Sequence, residues 1–266
     1  MPPLLSLRDI SVGYGGAHIV RGVSFDVFAG EFCALLGLNG SGKTTLLKGI
    51  CGLLPLGGGT CFAGGQDCSS LSERERARQI SYIPQRFSKL IGVTVLDVVM
   101  MGLNAKLGML ESPSAADKAS ALAALVKMDA PHLAGEDFSR LSEGQKQLVI
   151  LARALVQNSP VMLMDEPDSA LDFPNKHKAL AKIRRLIRDE GKTGLVTLHD
   201  PNLALNYCDR LILLHDGHLA SDLRLTGASR DEVETCLSGI YEGIELLEHE
   251  GRYMAQIRNS EFGIRN

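Results

Sequence analysis

The sequence predicts an α/β protein, a parallel sheet flanked by helices, with an antiparallel β part at the N-terminus and an inserted helical segment. Three observations carry this. Short apolar runs such as "FCALL" and "VMLMD" alternate with helix-like stretches on either side of the middle of the chain, as strands buried in a parallel sheet do. In "GVSFDVF", Val23, Phe25 and Val27 alternate with Ser24 and Asp26, the period-two pattern of a half-buried strand. Between these regions the texture is helical and rich in alanine, a strong helix former.

In chain order, the first 30 residues read as antiparallel strands. "EFCALLGLNGSGKTTLLKGICGLL" is a short strand, a glycine-rich loop and a helix. Gly64 and Gly65 mark a hairpin turn. Ser72 and Glu75 form a capping box that opens a short helix. From about Arg86 to Arg153 helices are expected, with Thr94 and Asp97 in capping positions and a helix over "PSAADKASALAALVKM". In "QKQLVILARALV", Leu148, Leu151, Ala152 and Leu155 fall at i, i+3, i+4 and i+7, one buried helical face. "VMLMD" is a strand that stops on an acid, and "KALAKIRRLIRDEG" is an amphipathic helix closed by Gly191. "GLVTLHD" is another strand, after which Asp200 caps a helix with Pro201 in its first turn. "RLILLHDGHLA" is a strand with a tight Asp-Gly turn. The tail from about Thr226 is expected to be less regular. The expected division is an α/β core over 1–85 and 154–225, a helical segment over 86–153, and a C-terminal extension over 226–266.

Composition narrows the function classes. With 266 residues, 45% hydrophobic and 22% charged, the chain suits one large globular domain or two small ones. The net charge of -3 offers no basic arm or surface for nucleic acid. The six cysteines form no Cys-x-x-Cys pair, and Cys33 and Cys51 sit in apolar runs, so they read as reduced core thiols. "MPPLLSLRDI" lacks the basic start and apolar stretch of a signal peptide. No run approaches the roughly 18 uninterrupted apolar residues of a membrane helix, so any role at a membrane is expected to come through a partner.

Two motifs carry chemistry. "GLNGSGKT", Gly37 to Thr44, matches the phosphate-binding pattern G-x-x-x-x-G-K-[ST] between a strand and a helix,. Glycines let backbone N–H groups curl around phosphate oxygens at the positive end of the following helix. Lys43 supplies a point charge for the outer phosphates, and the Thr44 hydroxyl can ligate Mg²⁺. In "VMLMDEP", Asp165 ends a buried strand where it can hold the Mg²⁺ shell, and Glu166 beside it can polarise a water for attack on the γ-phosphate.

Together with "PQ" at Pro84-Gln85, "LSEGQ" at Leu141 to Gln145, "SALD" at Ser169 to Asp172, and "TLHD" with His199, these motifs resemble, in order and spacing, those of ABC-transporter ATPase subunits. The resemblance covers about residues 4 to 225. It implies a P-loop NTPase core, with ATP and Mg²⁺ as ligands. Tyr14 would stack on adenine. Gly37, Asn39, Gly40, Ser41, Gly42, Lys43, Thr44 and Thr45 would hold the phosphates. Thr44, Gln85 and Asp165 would serve the metal. Glu166 would be the catalytic base, and His199 would contact the γ-phosphate and keep base and water aligned. In the family two copies sandwich two ATP molecules head to tail. Ser142, Gly144 and Gln145 would therefore read a phosphate held by the second copy, near the start of a helix at about Gln145, and Asp172 would lie at the dimer seam. Glu143 departs from the commonest family form, which has glycine there, and its carboxylate is expected to point away from the nucleotide. Asp168 departs from a common threonine.

The resemblance also implies separate transmembrane permease subunits docked on the helical segment, an indirect link to a substrate-binding protein, no nucleic-acid partner, and a peripheral place at the cytoplasmic face of the membrane. "SYIPQRFS", "TVLDVVMMGL" and "SALDFPNKHKAL" look most like subunits that power uptake of metal chelates, namely iron-siderophore, haem or cobalamin. A molybdate or tungstate importer and an exporter are alternatives within the family. A soluble ABC ATPase of DNA repair or translation is the alternative of another class, for which a second ATPase unit, a coiled-coil insertion or a basic surface would be expected.

Overall fold

Strand β1 (Leu5–Tyr14) and strand β2 (Ala17–Val27) pair antiparallel across Gly15 and Gly16, whose φ angles are 58° and 84°. Only residues tolerant of left-handed backbone suit such a turn. The computed structural model describes residues 2–85, 90–108 and 111–258. Next come strand β3 (Phe32–Leu36), helix α1 (Lys43–Ile50), strand β4 (Leu56–Ala63) and strand β5 (Gln66–Asp67). The turn at Gly64 and Gly65 joins β4 to β5, as expected, and a four-stranded sheet of order β2-β1-β4-β5 results.

The second sheet contains β3 with strands β6 (Ile80–Ile83), β7 (Val161–Asp165), β8 (Thr193–Thr197), β9 (Arg210–His215) and β10 (His218–Arg224). Its order is β10-β9-β3-β8-β7-β6, parallel except for the edge strand β10. The β9–β10 turn has Asp216 and Gly217 at φ 45° and 78°, the two positive angles that an Asp-Gly hairpin turn requires. Every residue of β3, β7 and β8 is buried, and alternate residues enter two different cores. Phe32, Ala34, Leu36, Met162 and Met164 face one. Cys33, Leu35, Val161 and Leu163 face the other, together with α1 and the antiparallel sheet. Both faces are covered, which explains why these strands read as continuous apolar runs.

Helix α2 (Glu73–Gln79) carries the expected Ser72–Glu75 capping box. Helix α3 (Val95–Met100) is capped by Thr94, and helix α4 (Ala115–Lys127) by Ser114. Residues 86–89, where the helical segment was expected to begin, lie outside the described residues. Helix α5 (Glu143–Gln157) buries Val149, Ile150, Ala154 and Val156 besides Leu151, Ala152 and Leu155. The single buried face expected for it is therefore too narrow, because α3, α4 and β6 all pack against the helix, and Leu148 on the expected face is only half-buried. This helix runs across the expected boundary at residue 153, and its core is continuous with one face of the parallel sheet.

Helix α6 (Phe173–Asp189) begins earlier than its apolar periodicity suggested, because Asp172 caps it and Pro174 sits in its first turn,. Gly191 follows its end at φ 60°. Helix α7 (Pro201–Tyr207) starts at the Asp200 cap as expected. The tail is more regular than its composition implied. It forms helix α8 (Arg230–Ser238) and a hairpin of β11 (Ile244–His249) and β12 (Arg252–Ile257). Val233, Leu237, Ile240, Ile244 and Leu246 enter the larger core and order it. The final stretch 259–266 lies outside the described residues. No helix among the described residues is long and apolar enough to cross a membrane. All six cysteines are free thiols.

Candidate active site

Parallel strands bring their C-terminal ends to one edge of the sheet, which is where α/β folds collect ligands. At that edge the loop after β3 carries Gly37 to Gly42, β7 ends in Asp165, β8 ends in Thr197, and Gln85 follows β6. The loop's glycines have distinct duties. A Cβ at Gly37 would lie 2.4 Å from the Leu214 carbonyl and 2.5 Å from Ser41 Oγ, so nothing larger fits. Gly40 and Gly42 have φ angles of 82° and 101°, and only the space at Gly40 is open. Ser41 and Thr45 are buried, and Ser41 Oγ has no partner. Asn39 is exposed on the loop.

Lys43 Nζ donates to the carbonyls of Gly37 at 2.7 Å and Leu38 at 3.1 Å. Burial holds its ammonium below the usual lysine range, with Glu166 and Asp165 pulling the other way. Its charge is thus held in a nearly dry loop, where a phosphate attracts it more strongly than in water. Asp165 is 2% exposed, and three hydroxyls converge on its carboxylate. Thr44 Oγ1 and Thr197 Oγ1 donate to Oδ1 at 3.0 and 2.9 Å, and Tyr82 OH donates to Oδ2 at 3.2 Å. Burial and Asp165 push the Tyr82 phenol well above its usual range, so it remains a donor. Sequence reasoning missed Thr197 and Tyr82. A hydroxyl at the end of a fully buried strand is the signal that marks Thr197.

Glu166 has a φ of 46°, left-handed backbone that non-glycine residues seldom adopt,. Its N–H donates to Thr197 Oγ1 at 2.8 Å. One carboxylate oxygen accepts from Gln85 Nε2, and the other meets His199 Nε2 at 2.5 Å. Three residues far apart in the chain, Gln85, Glu166 and His199, thus converge. Tyr14 sits at the end of β1, 48% exposed.

The signature residues lie elsewhere. Helix α5 starts at Glu143, two residues before the expected position, with Ser142 as its cap. Ser142 Oγ accepts from the Gln145 N–H at 3.3 Å, and Gln145 Oε1 accepts from the Ser142 N–H at 2.9 Å. Where an acid replaces Gln145 in the equivalent position, at Glu75, Asp117 and Glu232, the capping serine also donates its hydroxyl to the carboxylate. Ser142 makes no such bond and keeps its proton for another acceptor. Ser142, Gly144 and Gln145 line a cavity of about 320 Å³ with Asn175, Lys178 and Lys182. No phosphate-loop residue is in its wall. Glu143 instead pairs with Lys146 at 2.7 Å, which draws its carboxylate along the helix. Asp172 accepts from the Asn175 N–H at 3.0 Å. Buried Asp168 lies 3.8 Å from Lys176, and burial holds its carboxyl above the usual range.

Comparison with known proteins identifies the family. The sequence model of the ABC transporter family matches residues 20–169. An uncharacterized ABC transporter ATP-binding protein of Haemophilus influenzae is 39% identical over 79% of this chain and 80% of its own. The hemin import ATP-binding protein HmuV of Shewanella denitrificans is 35% identical over 81% and 85%. The manganese transport system ATP-binding protein MntB of Bacillus subtilis is 36% identical over 79% and 83%. Among solved structures, an inward-facing metal-chelate type ABC transporter superposes with a TM-score of 0.80 at 26% identity, over 95% of this chain and 96% of that one. A dimeric ATP-binding cassette in a post-hydrolysis state, with ADP and Pi bound, superposes at 0.75 with 28% identity, over 84% and 100%. This chain belongs to the ABC transporter family, as an ATP-binding subunit that hydrolyses ATP.

Proposed function

We propose that two copies of this chain close head to tail around two ATP molecules and drive uptake of a metal chelate, iron-siderophore, haem or cobalamin, through separate permease subunits at the cytoplasmic face of the membrane. The observation that carries the hydrolytic part is the Glu166 carboxylate held between Gln85 and His199 at the edge of the phosphate loop. Tyr14 stacks on the adenine, and the loop's backbone N–H groups receive the phosphates. Lys43 exchanges the carbonyls of Gly37 and Leu38 for the outer phosphate oxygens. Thr44 and Gln85 hold Mg²⁺ with Asp165 behind them, a set of oxygen donors that suits this hard cation. Bound there, Mg²⁺ neutralises charge on the phosphates.

Each Glu166 oxygen keeps a lone-pair position beyond its present bond, so the carboxylate can orient a water without leaving Gln85 or His199. It accepts the water's proton as the water oxygen bonds to the γ-phosphorus. The bond from that phosphorus to the bridging oxygen breaks, and ADP and phosphate result. His199 holds the base in line and contacts the γ-phosphate. Ser142 donates its hydroxyl proton to a phosphate held by the second copy. The Gly144 N–H adds a second donor at the positive end of α5, and Asp172 lies at the seam.

The cargo class rests on the hemin-import relative and the metal-chelate transporter. The manganese relative supports a bare metal ion as a second reading. Both readings are tested with Glu166→Gln protein, which should lose turnover by at least about 100-fold and remain a dimer in ATP. Purified from native membranes with ATP, it should bring down a multi-span permease of the metal-chelate type. Undiminished hydrolysis would remove Glu166 as the base. An exporter-type membrane protein would overturn the uptake reading, and ribosomal or DNA-repair partners would overturn the transport role.

A further inference from the structure

The C-terminal extension touches the His199 loop at two points. Tyr241 OH donates to the His199 carbonyl at 3.2 Å. Two residues into α7, the Asn202 carboxamide exchanges both its bonds with β12. Its Nδ2 donates to the Ala255 carbonyl at 3.1 Å, and its Oδ1 accepts from the Ala255 N–H at 2.8 Å. Tyr241 is firmly held. Tyr241 follows α8, whose Val233 and Leu237 are fully buried, and Ile240 and Ile244 on either side of it are buried as well. The N–H of Tyr241 is bonded to the Leu237 carbonyl at 3.0 Å. Burial and the charge of Asp200 push its phenol up to about 12, so the hydroxyl remains a donor at physiological pH.

Bonds to the fold flank His199 on both sides, from the Leu198 N–H to the Leu35 carbonyl and from the Leu203 and Ala204 N–H groups to the Asp200 carbonyl, and at His199 itself the carbonyl accepts from Tyr241. His199 lies between the end of β8 and the Asp200 cap of α7, and its exposed imidazole reaches Glu166. The position of the main chain at His199 decides where the ring stands, and small misplacements of an aligning group are costly to rate. We infer that Tyr241 is a positioning residue for His199, and that through it the C-terminal extension sets the rate of ATP hydrolysis. Asn202 acts in the same direction by clamping the start of α7 to β12. This inference rests on the role proposed for His199.

The test uses the full chain in its membrane complex and compares Tyr241→Phe, His199→Ala and the double variant. Tyr241→Phe removes one hydroxyl and keeps the ring. It should lower kcat about five-fold, the size of one hydrogen bond, with KM for ATP and Tm unchanged. In the His199→Ala background it should cost nothing further. In the isolated chain, the His199 imidazole resonance, assigned by its loss in His199→Ala, should move in Tyr241→Phe while the other histidine signals stay. Wild-type kcat for Tyr241→Phe, or an unmoved His199 resonance, overturns the inference even where His199→Ala is inactive. Full turnover by His199→Ala would instead remove the role of His199 on which it rests. A loss in Tyr241→Phe that adds fully to that of His199→Ala would also overturn it, because the hydroxyl would then act by another route.

Discussion

Asp168 shows how one residue can be read against its neighbours. Its carboxyl is buried and raised above the usual range, chiefly by burial and further by the charge of Glu166, while a hydrogen bond from its own backbone and the charges of Lys176 and His199 oppose the shift. A raised carboxyl pKa means that folding favours the protonated form. The resulting penalty is absent below the ordinary value of 3.8 and complete above the raised one,. Asp168→Asn removes that penalty at the expense of a long ion pair with Lys176, which is worth little where it meets solvent. The variant should melt about 2 °C higher at pH 8, and the gain should shrink as the pH falls toward 4. Thermal unfolding at the two pH values checks this, and an undiminished gain at pH 4 would mean that charge is not the cause. Glu166 illustrates the opposite case. Its left-handed backbone is a local cost, retained where its side chain meets Gln85 and His199.

At the scale of the element, α5 carries both a structural cap and the proposed phosphate reader on the same two residues. A capping box with glutamine at its third position satisfies the helix and leaves the Ser142 proton available. Glutamate there satisfies the helix equally but takes the proton, as it does at Ser72 and Ser229. Gln145→Glu should therefore leave Tm within about 2 °C. Because it also turns a negative charge toward an anion, it should weaken ATP-dependent dimerisation by about ten-fold. Sedimentation of the Glu166→Gln background with and without Gln145→Glu measures this. An unchanged dimer would show that the Ser142 hydroxyl does not meet the phosphate.

At the scale of the whole molecule, one apolar core runs from the parallel sheet through α3, α4 and α5 to the C-terminal α8 and β11. The helical segment and the extension are thus joined to the ATPase core by packing and not by tethers alone. Leu237→Ala, at a fully buried position of α8, should cost about 2–5 kcal/mol and lower Tm by about 10 °C. A single unfolding transition should remain. A separate early transition would mean that residues 226–258 unfold as an independent unit. The same continuity gives the Tyr241 contact its leverage, since a hydroxyl can position His199 only if its own backbone is held.

Much of this was legible in the sequence because its causes are local. Alternating and continuous apolar runs gave the strands, Ser72 and Asp200 gave helix starts, and Gly37 to Thr44 announced a phosphate loop from residue types alone. Motif order was enough to nominate Gln85, Glu166 and His199, although 114 positions separate the first from the last. The tertiary structure decided what depends on distant neighbours. Thr197 and Tyr82 are unremarkable strand residues until parallel pairing sets them beside Asp165. The tail looked irregular because its α8 is short and its hairpin strands face solvent on one side, and the core that orders them lies far away in sequence. Local propensity fixes which segments can become strands, helices and loops. Only packing, which is indifferent to separation along the chain, determines which hydroxyl reaches which carboxylate, and it alone joined Tyr241 to the histidine of the proposed site.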